Sequence, residues 1–141
     1  MVLYTIGFTK KNLEEFINLL KDNNIQKLLD IRLHNSSQLS GFAKSDDLKF
    51  ILKLFNIEYE HIPELVPEEE MLRIYRKSKD WSEYENKFKA LMKHRNAKMI
   101  LKNLLEKEET ICLLCSEDKP DKCHRRLVAE LLKDDIKIVH L

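Results

Sequence analysis

The sequence lacks several features, and each absence excludes a class of protein. It has only two glycines, so few positions adopt a positive φ at low cost. No apolar run approaches the roughly 20 residues that a membrane-spanning helix needs. The first residues also lack the basic region and long apolar stretch of a signal peptide. We therefore expect a cytoplasmic protein with no membrane partner.

An excess of charge of one sign is also missing. The chain has 25 basic and 24 acidic side chains and a net charge of +1. No overall charge attracts nucleic acid or an anionic membrane, so recognition of an anion must be local. The three cysteines are an odd number, which favours free thiols in a reducing compartment over a secreted disulfide framework.

The apolar residues, 43% of the 141 positions, recur as strands that alternate with helices. Strands are predicted at 2–6, 27–31, 57–62, 110–115 and 136–140. Helices are predicted to begin at Thr9, at Ser45 and after Pro67, with two more between 80 and 107 that break near Asn96, and a last one over 122–132. This alternation favours parallel βαβ units, and the apolar strands favour a sheet covered on both faces. We predict a single α/β domain over residues 1–141, a three-layer sandwich with a mostly parallel, Rossmann-like sheet of about five strands.

Polar segments follow the predicted strands at their carboxyl ends. Ligands of open parallel sheets bind beyond those ends, where the strand order reverses. The segments that leave them are 7–9, Arg32 with a long loop over 33–43, 63–64 and 116–124. Long loops within compact domains are often functional. We therefore expect the candidate residues to converge on one edge.

Cysteines dominate the last of these segments. Cys115 closes an apolar strand, and Cys123 lies near the start of the next helix. A helix N-terminus beside basic residues lowers the pKa of a cysteine. On that basis Cys123, followed by His124 and Arg125, is predicted to be the better-activated thiol. Cys112, inside the strand, is expected to be a small buried hydrophobic residue.

Other cysteine chemistries are less well supported. Cys112 and Cys115 fall within one extended strand and should point to opposite faces, which disfavours a zinc site with Cys123. We therefore predict no metal and no cofactor. A phosphatase loop needs an arginine six residues after the nucleophile, where Asp121 and Ala129 stand instead. A disulfide between Cys115 and Cys123 is geometrically possible.

Charged residues complete the candidate site after the fourth strand. His124 and Arg125 at a helix N-terminus can bind an anion through backbone N–H groups and the guanidinium. Glu117 is a candidate general base or a partner for an arginine, and an ordinary solvated acid is an equal alternative. Arg126 falls on another side of the helix, where we expect a solvated charge or a salt bridge.

A second group of candidates follows the first two strands. Asp30 and Arg32 stand two apart and share one face near the strand end. Burial of Asp30 without a partner would be costly. The pair therefore either serves a cleft or forms a purely structural ion pair, and we favour the cleft. Gly7 and Thr9 can approach an anion through the backbone and a hydroxyl.

Three segments, 4–9, 29–32 and 115–126, together resemble the family named domain of unknown function 488. The resemblance implies a compact α/β domain. It also implies that a family Asp-x-Arg pair corresponds to Asp30 and Arg32, and that its Cys-x-Glu and Cys-His-Arg motifs correspond to Cys115, Glu117, Cys123, His124 and Arg125. The chain departs from the family at Phe8 and Thr9, where members often have histidine and serine. The family has no settled biochemical function.

Three functions fit these residues. The first is a small enzyme for a phosphate-bearing ligand such as a nucleotide or nucleic-acid component. In such an enzyme the anion would be bound by Arg32, His124 and Arg125. Asp30 and Glu117 would orient the ligand or exchange protons, and the nucleophile or redox thiol would be Cys115 or Cys123. The second is a non-catalytic module that binds nucleic acid or protein through Lys93, His94, Arg95 and Lys98. The third is a thiol redox protein.

Overall fold

The computed structural model describes residues 1–35, 41–107 and 109–141, and its frame is a parallel sheet. Its five strands are β1 (Val2–Gly7), β2 (Lys27–Asp30), β3 (Glu58–His61), β4 (Ile111–Cys115) and β5 (Lys137–His140). They lie in the order β3-β2-β4-β1-β5, and each neighbouring pair is parallel. The predicted α/β class and Rossmann-like sheet are confirmed.

Helices cover both faces of the sheet. On one face lie α1 (Leu13–Asp22) and α2 (Ser45–Leu54), and on the other lie α3 (Glu69–Ser78), α4 (Trp81–His94), α5 (Ala97–Leu105) and α6 (His124–Ala129). The central strand β4 is buried along its whole length. Because side chains alternate along a strand, Cys112 joins the core under α1 and α2 while Leu113 joins the core under α4 to α6.

Some predicted boundaries shift. The first helix does not begin at Thr9: Asn12 is its cap, and the Asn12 side chain accepts a hydrogen bond from the N–H of Glu15. Lys10 adopts φ 63°, so the chain turns before the helix starts. Asn96, with φ 55°, separates α4 from α5 as predicted. The last helix is short and continues as a 3₁₀ turn over Glu130–Leu132.

The strand order places a crevice above the carboxyl ends of the middle strands. The connection from β1 to β2 crosses β4 in one direction, and the connection from β4 to β5 crosses β1 in the other. Such a reversal opens a gap between the flanking loops. Part of the predicted long loop, residues 36–40, lies outside the described residues, and Gly41–Ala43 forms a 3₁₀ turn. No helix among the described residues is both long and apolar enough to cross a membrane.

Candidate functional site

Cys115 is the last residue of the central strand and lies opposite Gly7 of β1 in the register. Alternation along β4 turns its side chain toward the α4–α6 face. Only 4% of Cys115 is exposed, and that surface borders a cavity. The Cys115 thiol at the end of β4 therefore lies buried at the floor of the crevice.

His124, the first residue of α6, packs against this thiol. The Cys115 Sγ lies 3.4 Å from His124 Nδ1 and 3.8 Å from Nε2. His124 Nε2 is also 2.6 Å from the carbonyl oxygen of Ile31, which only accepts hydrogen bonds, so Nε2 carries the hydrogen. Nδ1 is then the unprotonated nitrogen of the neutral ring. Because the sulfur lies almost as close to Nε2 as to Nδ1, it packs against the face of the ring and not along the Nδ1 lone pair. A thiol, an imidazole and the carbonyl that fixes the imidazole therefore lie together.

The Cys123 thiol completes a cluster of three possible metal ligands. The donor atoms of Cys115, Cys123 and His124 all lie within 4.8 Å of one another, and all three residues are buried. A tetrahedral zinc bound through Nδ1 would hold a thiolate sulfur roughly 3.5 Å from that nitrogen and about 5 Å from Nε2. The observed 3.8 Å to Nε2 is shorter, so the sulfur contacts the ring directly. The same distance shows that the sulfur does not lie along the Nδ1 lone pair, so the thiol packs against the face of the imidazole ring.

The two thiols of this cluster differ in acidity. Burial alone would raise the pKa of Cys115, but a hydrogen bond from Cys123, the backbone N–H groups of Ser116 and Glu117 and the charge of Arg125 lower it below the ordinary value. The pKa of Cys123 is raised because it donates to Cys115 and because it is buried. The prediction that Cys123 is the better-activated thiol is therefore wrong. The helix terminus matters less than which thiol accepts the hydrogen bonds.

Arg125 organises the loop that follows Cys115. It is fully buried, and its donors reach the Thr5 hydroxyl at 3.2 Å, the Asp118 carbonyl at 3.2 Å and the Glu117 carbonyl. These contacts turn its guanidinium away from the cavity lining. Arg125 thus holds in place the loop that residues 116–118 form.

Gly7 makes room for that loop. A Cβ at Gly7 would overlap the carbonyl oxygen of Glu117 and lie 2.6 Å from Arg125 Nη1. Thr9 adds a second attachment, since its N–H and hydroxyl both donate to the Ser116 carbonyl, at 3.1 and 2.6 Å. The contacts of Gly7 and Thr9 thus support the thiol loop.

Asp30 and Arg32 form a buried, two-pronged ion pair at the end of β2. Arg32 Nε and Nη2 donate to the two Asp30 oxygens at 2.8 and 2.7 Å, and Nη1 donates to the Ala43 carbonyl at 2.7 Å. The Tyr59 hydroxyl also donates to Asp30, and the Phe8 ring lies 5.3 Å from the guanidinium. Arg32 still borders the cavity.

The two groups meet at one edge through the backbone of Ile31, the residue that follows β2. Ile31, between Asp30 and Arg32, donates its N–H to the Leu114 carbonyl at 3.1 Å and accepts from His124 at 2.6 Å. The structure therefore brings the acid–arginine pair and the thiol–imidazole pair to a shared rim.

A cavity of roughly 200 Å³ opens beside this rim. Its floor is formed by Cys115, Cys123 and His124, and the Glu117 side chain lies exposed at its edge. The opposite side comes from residues that sequence reasoning did not single out: Leu72, Tyr75, Arg76, Trp81 and Tyr84 of α3 and α4, together with Lys122. The aromatic residues at positions 81, 84 and 88 share one face of a helix, and this spacing is the sequence pattern that could have indicated an aromatic wall.

Three other cations have partners outside the cavity. Arg126 bonds to Glu130 at 2.9 Å and to Glu85 at 3.1 Å, one of the two roles expected for it. Arg95 donates to the carbonyls of Glu64 and Val66, and Lys98 pairs with Asp135. Two of the four residues of the predicted basic patch therefore have partners, whereas Lys93 and His94 are exposed.

Comparison with known proteins gives one positive result. No curated protein matches the chain, and no solved structure does. The family described as domain of unknown function DUF488 matches residues 12–132, a span that includes both halves of the site. The chain therefore belongs to the DUF488 family.

Proposed function

We propose that this protein is a small cytoplasmic enzyme that acts on a phosphate-bearing, nucleotide-like ligand, with Cys115 as its nucleophile. The observation that carries the proposal is the contact of the Cys115 thiol, at the floor of the cavity, with the imidazole ring of His124, whose Nε2 is held by the Ile31 carbonyl. A positioned base beside a thiol of lowered pKa is how cysteine enzymes activate the nucleophile. All three cysteines are free thiols, as a reducing compartment requires.

The chemistry that these residues support is nucleophilic substitution at a trigonal electrophilic carbon, such as a carbonyl or ring amidine carbon. The Cys115 proton passes to His124, the sulfur adds to the carbon, and the leaving group departs with the bonding electrons and takes the proton from His124. Water then adds to the same carbon and gives its proton to the exposed Glu117 carboxylate or to His124. The sulfur departs as a thiolate, and that proton returns to Cys115. Asp30 holds Arg32 in place at the cavity wall.

In this proposal the protein binds the phosphate of the ligand, and the phosphate is not the group that reacts. Arg32 and Arg125 direct most of their donors to Asp30 and to carbonyl oxygens. Arg76 and Lys122 border the cavity and are exposed, so they are the cations best placed to hold an anion there. The loop after Cys115 lacks the arginine position of a phosphatase cradle, which also argues against attack on phosphorus.

The size of the cavity favours a small ligand over a nucleic-acid strand. A volume of roughly 200 Å³ equals that of about seven water molecules, and it accommodates one ring system. The partners of Arg95 and Lys98 leave fewer free cations for the second hypothesis, a nucleic-acid-binding module.

A thiol redox protein is the second candidate. It is favoured by the proximity of the Cys115 and Cys123 sulfurs, within 4.8 Å, and by the opposite shifts of their pKa values. In that case Cys115 would be the attacking thiol and Cys123 its disulfide partner.

Site-resolved alkylation tests the proposal. The native protein is treated with iodoacetamide from pH 5 to 9, and the modification of each cysteine is followed by mass spectrometry. We expect Cys115 to react at a lower pH than a thiol of the urea-unfolded chain, and saturating nucleoside 5′-monophosphate to slow that reaction. Cys115→Ser removes this modification, whereas the matched control Cys112→Ser leaves it unchanged.

Two results would contradict the proposal. The first is a Cys115 that reacts only over the pH range of the unfolded chain. The second is a Cys115 whose alkylation is unaffected by every nucleoside monophosphate. Rapid formation of a Cys115–Cys123 disulfide with oxidised glutathione, together with no nucleotide protection, would establish the redox function instead.

A further inference from the structure

The wall of the cavity opposite the thiols is an aromatic cluster. Tyr75 of α3 and Trp81 and Tyr84 of α4 have ring centroids 5.1 to 5.6 Å apart. Tyr75 and Trp81 are partly exposed and border the cavity. Aromatic rings with an accessible face bind flat ligands by stacking, and such stacking contributes about 1–3 kcal/mol per nucleic-acid base.

Tyr84 adds a hydrogen-bond donor to this wall. The residue is 3% exposed, and its hydroxyl has no hydrogen-bond partner among the described residues. Buried polar groups are nearly always paired, because an unpaired one loses its bonds to water without replacement. Tyr84 is one of the residues that line the cavity, so a ligand that packs against this residue can supply the acceptor.

The protonation state of Tyr84 suits this role. Burial raises its pKa well above the ordinary value, and the neighbouring Cys115 and Cys123 raise it further. The hydroxyl therefore keeps its hydrogen at every physiological pH. It is a permanent donor that lies close to the reactive thiol.

We infer that the cavity recognises a planar nitrogen heterocycle, stacked on Tyr75 and Trp81, and that the Tyr84 hydroxyl donates to an acceptor atom on the edge of that ring. Arg76 and Lys122 at the cavity border then take the phosphate of the same ligand. This inference rests on the proposed function and specifies its substrate class: the heterocycle, and not the sugar phosphate, carries most of the recognition.

The position of Trp81 makes the inference directly measurable. It is the one tryptophan of the sequence and forms part of the wall, so its fluorescence reports whether the cavity is occupied. The full chain is titrated with AMP, GMP, CMP and UMP, with the corresponding nucleosides, and with ribose 5-phosphate and inorganic phosphate. We expect at least one monophosphate to bind, its nucleoside to bind more weakly, and ribose 5-phosphate to bind about tenfold more weakly or not at all.

The role of the hydroxyl is tested by Tyr84→Phe, with Tyr4→Phe as a matched control in the opposite core. Tyr84→Phe should weaken binding of the best monophosphate about five- to tenfold, since one hydrogen bond is lost. Its melting temperature should be equal to or higher than that of the wild type, because no internal bond is broken. A purely structural tyrosine would show the reverse pattern, with lowered stability and unchanged affinity.

Failure of the inference differs from failure of the proposed function. Equal affinity for ribose 5-phosphate and the monophosphates, or unchanged affinity in Tyr84→Phe, would overturn the heterocycle site while Cys115 still reacts at low pH. An unreactive Cys115 would overturn the proposed function even if the fluorescence titration shows nucleotide binding.

Discussion

Two cysteines of the same strand show how differently the middle and the end of β4 behave. Cys112 and Cys115 are 0% and 4% exposed. Burial raises the pKa of Cys112, whose surroundings are the apolar core under α1 and α2. The pKa of Cys115 is lowered, because hydrogen bonds and the Arg125 charge outweigh the same burial. Thiol acidity in this protein therefore depends on the donors at the strand end, and not on exposure.

The neighbours of the two thiols account for this difference. Cys112 packs in the apolar core, and the hydrogen bond that its thiol makes among the described residues is a weak one to the Leu113 carbonyl, at 3.7 Å. Cys115 lies where the chain leaves the sheet, so the N–H groups of Ser116 and Glu117 are not used in strand pairing and turn toward the sulfur. The loop that provides these donors is held by Arg125 and depends on the space at Gly7.

The largest effect is expected from removing that space. Gly7→Ala should lower the free energy of unfolding by about 3 kcal/mol, since the new methyl group displaces the Glu117 carbonyl and the buried Arg125. Gly41→Ala is the matched control, because among the described residues no atom other than those of its chain neighbours lies within 4 Å of its added Cβ. It should change stability by less than about 0.5 kcal/mol.

Urea unfolding of the two alanine variants measures the difference. If Gly7→Ala still folds, Cys115 should lose its low-pH alkylation, because its backbone donors move with the loop. Equal stability of Gly7→Ala and Gly41→Ala would show that the loop over 116–118 is not packed as described.

A smaller effect should appear in the pH dependence of stability. The lowered pKa of Cys115 means that the unfolded chain binds this proton more tightly, so its contribution to stability rises with pH from the lowered value up to about 9.0. The raised pKa of Cys112 gives a contribution to stability with the opposite pH dependence. The folded protein keeps that proton, so the contribution is complete below 9.0 and is lost as the pH rises above it.

Difference curves isolate these two contributions. The free energy of unfolding is measured from pH 6 to 10.5 for the wild type, Cys115→Ala and Cys112→Ala. Wild type minus Cys115→Ala should increase with pH below 9.0, and wild type minus Cys112→Ala should decrease above 9.0. Two curves of the same slope would show that the environments of the thiols do not differ.

The smallest effect is expected on the other side of the rim. Tyr59→Phe removes the hydroxyl that donates to Asp30 and should cost about 1.5 kcal/mol of stability, a typical value for a hydrogen bond to a charged group. The Asp30–Arg32 pair stays intact, so the alkylation rate of Cys115 should not change. A changed alkylation rate would mean that the Asp30–Arg32 pair influences the Cys115 thiol through Ile31, so that the acidity of Cys115 depends on β2 as well as on the end of β4.

Sequence patterns predicted the fold well because its elements follow local periodicity. The apolar strand ending at Cys115 and the helix break at Asn96 both come from short-range rules. The prediction for Cys123 was wrong because proximity in sequence to a helix start and to basic residues does not show which thiol accepts hydrogen bonds. The burial of Arg125 depends on carbonyl groups from a loop that folds back over Gly7, and no local pattern carries that information.

The aromatic side of the cavity was missed for a similar reason. Tyr75 lies 40 residues and Trp81 34 residues before Cys115 in the chain, on helices that pack over the sheet from one side. The spacing of the aromatic positions 81, 84 and 88 within α4 is equally typical of an ordinary helix core. Only the tertiary arrangement shows that Tyr75 and Trp81 face the thiols across the cavity.

The orientation of His124 depends on a main-chain carbonyl, that of Ile31. Many enzymes use a carboxylate for this purpose, and a single substitution then removes it. Here no side-chain replacement at position 31 can delete the acceptor, so the imidazole keeps its tautomer as long as β2 and β4 remain in register. Substitutions in this chain can therefore change the lining of the cavity more easily than they can change the orientation of the imidazole beside the thiol.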